Sequence, residues 1–237
     1  MSRLARLSGF VMGLTVLAGV VLQYPPHPGR VRGYDALTLD YRLNHVAVIG
    51  DSYTTGTDEG GVGPQSWTAR AWQRLDARGL RIAADVAAEG RAGYAVPGDH
   101  GSVFEDLTAR AVHPDDVLVV FFGSRNDQGL HPIDPELLAE RASATFDLAH
   151  RLASTAKILV IGPPWPTADV PGSMLQIRDV LNAAARAARA AFVDPIEDRW
   201  FVDRPDLIGA DGVHPNDEGH AYLADRIAPL IRKQLSG

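Results

Sequence analysis

Two short polar segments far apart in the sequence contain the residue types that a serine hydrolase requires. Residues 50–52 read Gly-Asp-Ser, and Asp211 and His214 stand three positions apart near the C-terminus. A serine hydroxyl becomes a nucleophile when a histidine accepts its proton, and a carboxylate must hold that histidine in the right tautomer. We therefore predict that Ser52, His214 and Asp211 form a catalytic triad. Either segment alone could be an ordinary turn, so the prediction depends on both.

The residues before Ser52 predict where its hydroxyl lies. The apolar run 45–49, closed by Gly50, is typical of a buried strand. In an open α/β sheet, ligand sites form at the carboxyl ends of the strands. We therefore expect Ser52 to face a crevice rather than the core.

Two further loops contain candidates for an oxyanion hole. A predicted strand at 80–87 leads to Gly90 and Gly93, and either glycine could point a backbone N–H at a substrate oxygen without crowding it. Another predicted strand ends at Phe122 and precedes Asn126, whose amide can donate to a developing oxyanion. Each of these residues could instead serve only a turn.

These segments together resemble the GDSL, or SGNH, hydrolase family, over residues 44–235. The resemblance implies catalytic Ser52, Asp211 and His214, and an oxyanion hole formed by the N–H of Ser52, the N–H of Gly93 and the amide of Asn126. It also implies ester hydrolysis through an acyl-enzyme, without a cofactor or a metal, on a flavodoxin-like sheet.

The sequence departs from the family pattern in two places. The pattern Asn-x-x-x-x-Gly has Ala88 where the asparagine is common. The pattern Gly-x-Asn-Asp is lengthened by one residue, because Ser124 and Arg125 both separate Gly123 from Asn126. The conformation of this longer loop is therefore open.

Strands and helices alternate along the chain. This alternation predicts an α/β fold, a three-layer α/β/α arrangement around a five-stranded parallel sheet with right-handed crossovers. The strands are predicted at 45–49, 80–87, 117–122, 157–161 and 191–193, and the main helices at 67–78, 135–154, 174–190 and 217–235. The Pro-rich loop after the fourth strand contains Trp165, which we expect either to line the substrate pocket or to pack.

Composition narrows the function classes. The 237 residues have a net charge of −6 and no cysteine, which argues against a nucleic-acid partner and excludes disulfides and thiolate metal sites. The expected substrate is a small-molecule, lipid or carbohydrate ester. Two alternatives remain open: an acyltransferase acting on a carbohydrate hydroxyl, and a non-catalytic, membrane-tethered binding module. The sequence does not indicate an oligomeric state.

The N-terminus predicts export. Arg3 and Arg6 precede the apolar run 9–22, which is typical of a signal peptide and short for a membrane span. Since a clear cleavage site is lacking, an uncleaved anchor is an alternative, as is a helix packed on the domain. We therefore divide the chain into a signal peptide or anchor with its linker at 1–30 and a hydrolase domain at 31–237, and expect it to be secreted or anchored at the cell envelope.

Overall fold

The structure is a computed structural model, which describes residues 43–130 and 132–236. The predicted signal or anchor at 1–30 lies outside the described residues. Within the part that is described, no helix combines the length and the apolar character needed to cross a bilayer.

A five-stranded parallel sheet forms the centre of the fold. Its strands are β1 (Asn44–Gly50), β2 (Ile82–Ala88), β3 (Asp116–Phe122), β4 (Lys157–Ile161) and β5 (Ala191–Val193). The order across the sheet is β2-β1-β3-β4-β5, and all four pairings are parallel. The predicted flavodoxin-like sheet is thus confirmed, including the five strand positions to within two residues at each end.

Helices cover both faces of the sheet. They are α1 (Ser52–Thr55), α2 (Trp67–Asp76), α3 (Phe104–Ala111), α4 (Pro135–Leu152), α5 (Gly172–Ala187) and α6 (Asp217–Ser236). Side chains alternate along β1, so that Ala47 and Ile49 pack with α3, α4 and α5, whereas Val46 and Val48 pack with α2 and α6. This alternation produces two separate cores and the predicted three layers.

Helix α3 was missed by the sequence prediction. No Ser, Thr, Asp or Asn occupies the position before it, which is Val103. Instead, the backbone N–H of Val103 donates to the carboxylate of Asp106, at 3.0 Å, inside the first turn. The helix therefore lacks the start signal on which the prediction relies.

The register of the sheet determines where the functional loops meet. Gly50 of β1 is paired with Ala88 of β2 and with Phe122 of β3. The strands thus end side by side. Because each loop begins at the same edge, the loops carrying Ser52 and Asn126 start next to each other.

Candidate active site

Ser52 is presented by a tight turn between β1 and α1. It is the first residue of α1, and the side chain of Asp51 caps this helix by accepting the N–H of Tyr53 at 2.9 Å. Gly50 has no room for a side chain, since a Cβ there would lie 2.2 Å from Oγ1 of Thr54. The turn therefore requires the Gly-Asp-Ser sequence for local steric and capping reasons, and it leaves Ser52 half-buried at the sheet edge.

The structure brings the three predicted triad residues together. Nε2 of His214 lies 3.0 Å from Oγ of Ser52, and Nδ1 of the same ring lies 2.5 Å from Oδ2 of Asp211. The other oxygen of Asp211 accepts the backbone N–H of Val213 at 2.8 Å and of His214 at 2.9 Å. Asp211 therefore organises its own loop as well as the imidazole.

The ionisation of Asp211 suits a partner of histidine. Burial works against the charged form, but hydrogen bonds from the His214 ring and from the N–H groups of His214 and Val213 hold the pKa of Asp211 below its ordinary value. An ionised Asp211 favours a proton on Nδ1 of His214. Nε2 is then free to accept the proton of Ser52.

Residues that follow Ser52 also hold the loop of His214. The Tyr53 hydroxyl donates to the carbonyl of Val213 at 2.5 Å, and burial raises the pKa of Tyr53, so that this hydroxyl stays protonated. Oε2 of Glu59 accepts the N–H of Ala210 at 2.7 Å. The nucleophile segment and the histidine segment are therefore linked by two further contacts that the sequence did not reveal.

Asn126 lies at the cleft in a short 3-10 helix, Arg125–Gly129, that follows β3. Its Nδ2 donates to the carbonyl of Ala92 at 3.0 Å and to Oδ2 of Asp51 at 3.3 Å. The amide is thus tied both to the loop after β2 and to the residue before the nucleophile. Despite the additional residue in this loop, Asn126 reaches the same cleft as Ser52.

Gly93 does not occupy the position that the resemblance implied. Its N–H donates to the carbonyl of Val96 at 2.8 Å, which closes a turn, and it is not among the residues that line the cleft. Gly90, the other candidate, does line the cleft. The N–H of Gly93 is thus engaged in a turn, and Gly90 is the remaining candidate for the second backbone donor.

A buried carboxylate, which the sequence prediction overlooked, fixes this loop. Asp127 accepts backbone N–H groups from Tyr94 at 3.0 Å, Ala95 at 2.9 Å and Val96 at 3.1 Å, and the hydroxyl of Ser124 at 2.7 Å. Its only sequence signal is that it directly follows Asn126 in the motif. Asp127 thus clamps the loop after β2 onto the loop after β3.

Asp51 is a second buried carboxylate beside the nucleophile. Burial raises its pKa from 3.8 to about 7, although the N–H of Tyr53 and the charge of Arg125 both act in the opposite direction. Asp51 therefore exchanges a proton near neutral pH, whereas Asp211 on the other side of Ser52 remains ionised.

A cleft of about 970 Å³ opens over these residues. Its lining is mostly polar or charged and includes Ser52, His214, Asn126 and Arg125. Trp165 is not part of the lining: its ring packs on the core and carries the guanidinium of Arg125, whose Cζ lies 4.6 Å from the ring centroid. Of the two predicted roles for Trp165, the structure therefore favours packing.

No cluster of three or more His, Asp or Glu side chains in the described ranges is arranged to hold a metal ion. His113 and His220 do not belong to the triad. His113 is exposed at the surface, and His220 is buried beneath the loop that follows α1.

Comparison with known proteins agrees with the geometry. The family model described as GDSL-like lipase/acylhydrolase matches residues 48–222, a range that contains Ser52, Asn126 and His214. The chain is 72% identical to the GDSL lipase Rv0518 of Mycobacterium tuberculosis, over 99% of this chain and 100% of the relative.

Solved structures share the fold at lower identity. A crystal structure of TesA is similar with a TM-score of 0.63 and 24% identity, over 81% of this chain and 99% of that one. The psychrotrophic esterase EstA from Pseudoalteromonas sp., in a structure inhibited by monoethylphosphonate, has a TM-score of 0.64 and 15% identity, over 82% of this chain and 100% of that one.

Proposed function

The chain belongs to the GDSL-like lipase/acylhydrolase family, and we propose that it hydrolyses carboxylic esters through an acyl-enzyme formed on Ser52. That it is an ester hydrolase of this type follows from its family and its close relative. The observation that carries the proposed mechanism is the hydrogen-bonded series from Ser52 through His214 to Asp211, with distances of 3.0 and 2.5 Å.

The reaction follows from these contacts. Oγ of Ser52 attacks the ester carbonyl carbon while Nε2 of His214 takes the hydroxyl proton. The tetrahedral intermediate then collapses, and the same proton passes from His214 to the departing alcohol. A water molecule next gives a proton to His214 and attacks the acyl-enzyme. Collapse of this second intermediate returns the proton to Ser52 and releases the acid.

The oxyanion of both intermediates requires hydrogen-bond donors. We assign the N–H of Ser52, the N–H of Gly90 and the amide of Asn126 to this role. The bond from Nδ2 of Asn126 to Asp51 is the longer of its two, at 3.3 Å. The hydrogen in that longer bond is the one more easily shared with an oxyanion, while the bond to Ala92 keeps the amide in place.

The cleft favours small ester substrates. A long acyl chain binds by moving its apolar surface from water onto an apolar lining, and most of the residues that line this cleft are polar or charged. We therefore expect turnover to be fastest with short acyl groups. Rates with 4-nitrophenyl esters of two to sixteen carbons test this expectation, and a maximum at twelve or more carbons would contradict it.

A covalent probe tests the mechanism directly. A fluorophosphonate should label the full-length protein at Ser52, and peptide mass spectrometry should locate the adduct there. The Ser52→Ala variant is the matched control and should remain unlabelled. Ester turnover without any adduct on Ser52 would mean that another residue or a bound water is the nucleophile.

We also propose that the protein is exported, with residues 1–30 as a signal peptide or anchor and 31–237 as the hydrolase domain. The support is the sequence alone: Arg3 and Arg6 before the apolar run 9–22. Cell fractionation combined with N-terminal sequencing tests it. A mature N-terminus after residue 20 indicates cleavage, and an intact chain in the membrane fraction indicates an anchor. An intact chain in the cytoplasmic fraction would overturn the proposal.

A further inference from the structure

Arg125 differs from the other arginines near the cleft because none of the described carboxylates forms an ion pair with it. It lines the cleft together with Ser52 and His214, and no carboxylate among the described residues forms an ion pair with it. The neighbouring arginines are both paired: Arg91 lies 3.5 Å from Asp99 and Arg110 lies 3.7 Å from Glu89.

One nitrogen of the Arg125 guanidinium also lacks a hydrogen-bond partner within the described residues. Its Nη1 is the one buried side-chain nitrogen or oxygen in the described ranges that has no such partner. A buried donor without a partner costs about 1–3 kcal/mol. This cost is tolerated at the edge of a functional cleft more readily than in a core that only has to fold.

The side chain is nevertheless held in place. The indole of Trp165 lies under the guanidinium, with 4.6 Å between Cζ and the ring centroid, and such stacking suits the flat, delocalised cation. The indole N–H in turn donates to the carbonyl of Asp169 at 2.8 Å, which fixes the ring. Arg125 is thus a positioned cation that lacks an anion.

The carboxylates nearest to Arg125 are unavailable as full partners. Asp127 already accepts three backbone N–H groups and the Ser124 hydroxyl. Asp51 is buried beside the nucleophile, where it accepts the N–H of Tyr53 and the amide of Asn126. Within residues 43–130 and 132–236, Arg125 therefore has no full negative partner, and the cleft that it lines is open to one.

We propose that Arg125 binds an anionic group of the ester substrate, so that the preferred substrates carry a carboxylate or a similar anion close to the scissile bond. The additional residue of the Asn126 loop would then determine specificity. This inference rests on the proposed ester hydrolysis, because the anion is part of the substrate. The anion can belong to the acyl group or to the alcohol, and Arg125 recognises the same chemistry in both.

Two matched substrate pairs distinguish these sources. For the acyl side, 4-nitrophenyl hydrogen glutarate is compared with the ester in which a carboxamide replaces its carboxylate. For the alcohol side, 4-acetoxybenzoate is compared with 4-acetoxybenzamide. The ratio of kcat/KM for carboxylate over carboxamide is measured with the full-length protein, and the rate with Ser52→Ala is subtracted as background.

We expect this ratio to exceed one for one of the pairs, and the pair concerned identifies the side that carries the anion. Arg125→Gln should lower the ratio by about 10- to 100-fold, the usual cost of losing a charged hydrogen bond. Arg125→Lys should retain part of it, because it keeps the charge and loses the flat fork. The matched control is Arg91→Gln, which removes an exposed and already paired arginine from the same cleft and should change the ratio by less than about threefold.

Three outcomes are decisive. Equal or lower rates for both carboxylates in the wild-type protein, with good turnover of the carboxamides, overturn the inference and leave the ester hydrolysis intact. Equal losses in Arg125→Gln and Arg91→Gln also overturn it. No turnover of any of the four esters, together with no fluorophosphonate adduct on Ser52, rejects the proposed function itself. If Arg125→Gln does not fold, Arg125→Lys and the salt dependence of the wild-type ratio decide. A charge contact between Arg125 and the substrate requires the wild-type ratio to fall as salt is added.

Discussion

The two sides of the cleft are built in different ways. The nucleophile–base side consists of Ser52, Asp211 and His214, and each of its two distant segments is shaped by contacts within its own short turn: Asp51 caps the helix of Ser52, and Asp211 binds the N–H of His214 three residues on. The oxyanion side consists of Asn126 and the loop 88–96. Its contacts join segments about thirty residues apart, such as Asp127 to Tyr94 and Asn126 to Ala92.

The two sides also differ in the state of their carboxylates. On the nucleophile–base side, hydrogen bonds from His214 and from backbone N–H groups outweigh burial and lower the pKa of Asp211. At Asp51, which joins the turn of Ser52 to the amide of Asn126, burial is the largest influence and raises the pKa to about 7. Two aspartates flanking one serine therefore have opposite tendencies, because one is surrounded by donors and the other is withdrawn from water.

Loss of the nucleophile should have the largest effect. Ser52→Ala removes only the attacking oxygen and should lower kcat by about 10⁶-fold, as loss of a triad serine does elsewhere. Thermal unfolding should be nearly unchanged, since the substitution removes a single hydrogen bond of Oγ, the one to His214. The measurement is steady-state hydrolysis of a short ester. Turnover within tenfold of wild type would show that the nucleophile–base side is not the chemical centre.

The oxyanion side should matter less for rate. Asn126→Ala removes one donor, which costs about 10²–10³-fold in kcat, while the hydrogen bonds of His214 to Ser52 and Asp211 remain. Fluorophosphonate labelling of Ser52 should therefore persist at a reduced rate. If Asn126→Ala proved as damaging as Ser52→Ala, the amide would be acting on the nucleophile and not only on the oxyanion.

The same contrast explains which parts of the fold were predictable. Strands β1, β3 and β4 are built on apolar runs, and the alternation of all five strands with helices indicates a parallel sheet. Helix α2 is capped by Ser66 as predicted, because capping is a local property. Helix α3 was missed, since Val103 gives no start signal and the compensating contact from Asp106 lies inside the helix.

Gly93 and Gly90 differ in how much room the surrounding residues leave for a side chain. A Cβ on Gly93 would lie 2.5 Å from Oδ1 of Asp127, a carboxylate locked by three N–H groups. Gly93→Ala should therefore lower stability by about 1–3 kcal/mol, or about 2–12 °C in Tm for a domain of this size. A Cβ on Gly90 would meet only Oδ2 of Asp99, at 2.6 Å, in a half-exposed side chain that can rotate away.

Calorimetry measures the Tm of both variants. The matched control, Gly90→Ala, should shift its Tm by under about 3 °C, which is equivalent to less than 1 kcal/mol. If Gly93→Ala kept its Tm and instead lost kcat, the N–H of Gly93 would be a donor to the oxyanion, as the resemblance to the family pattern implied. The triad was predictable because each of its residues lies in a short turn that the neighbouring sequence determines. The role of Asp127 and the stacking of Arg125 on Trp165 depend on how separate loops pack together. Residue spacing in the sequence does not predict that packing.

The smallest expected effect is on the pH dependence of folding stability. His220, buried beneath the nucleophile segment, has its pKa lowered by burial from 6.5 to about 4. Between these values the unfolded chain binds a proton that the folded chain does not, so this group makes stability rise with pH. Asp51 has its pKa raised from 3.8 to about 7. Over that range the folded chain holds the additional proton, so Asp51 makes stability fall as pH rises.

His220 and Asp51 have opposite effects on the slope of folding stability against pH between about pH 4 and 6.5. Each effect can reach about 1.4 kcal/mol per pH unit. Urea unfolding at pH 4.5, 5.5 and 6.5 should therefore show that His220→Gln shifts the slope of stability against pH downward, while Asp51→Asn shifts it upward. His113→Gln, which replaces an exposed histidine, is the matched control for the loss of an imidazole. Parallel curves for all four proteins would mean that both groups keep their ordinary ionisation in the folded chain. The contrast between the two sides would then rest on hydrogen-bond geometry alone, since Asp51 would be as fully ionised at neutral pH as Asp211.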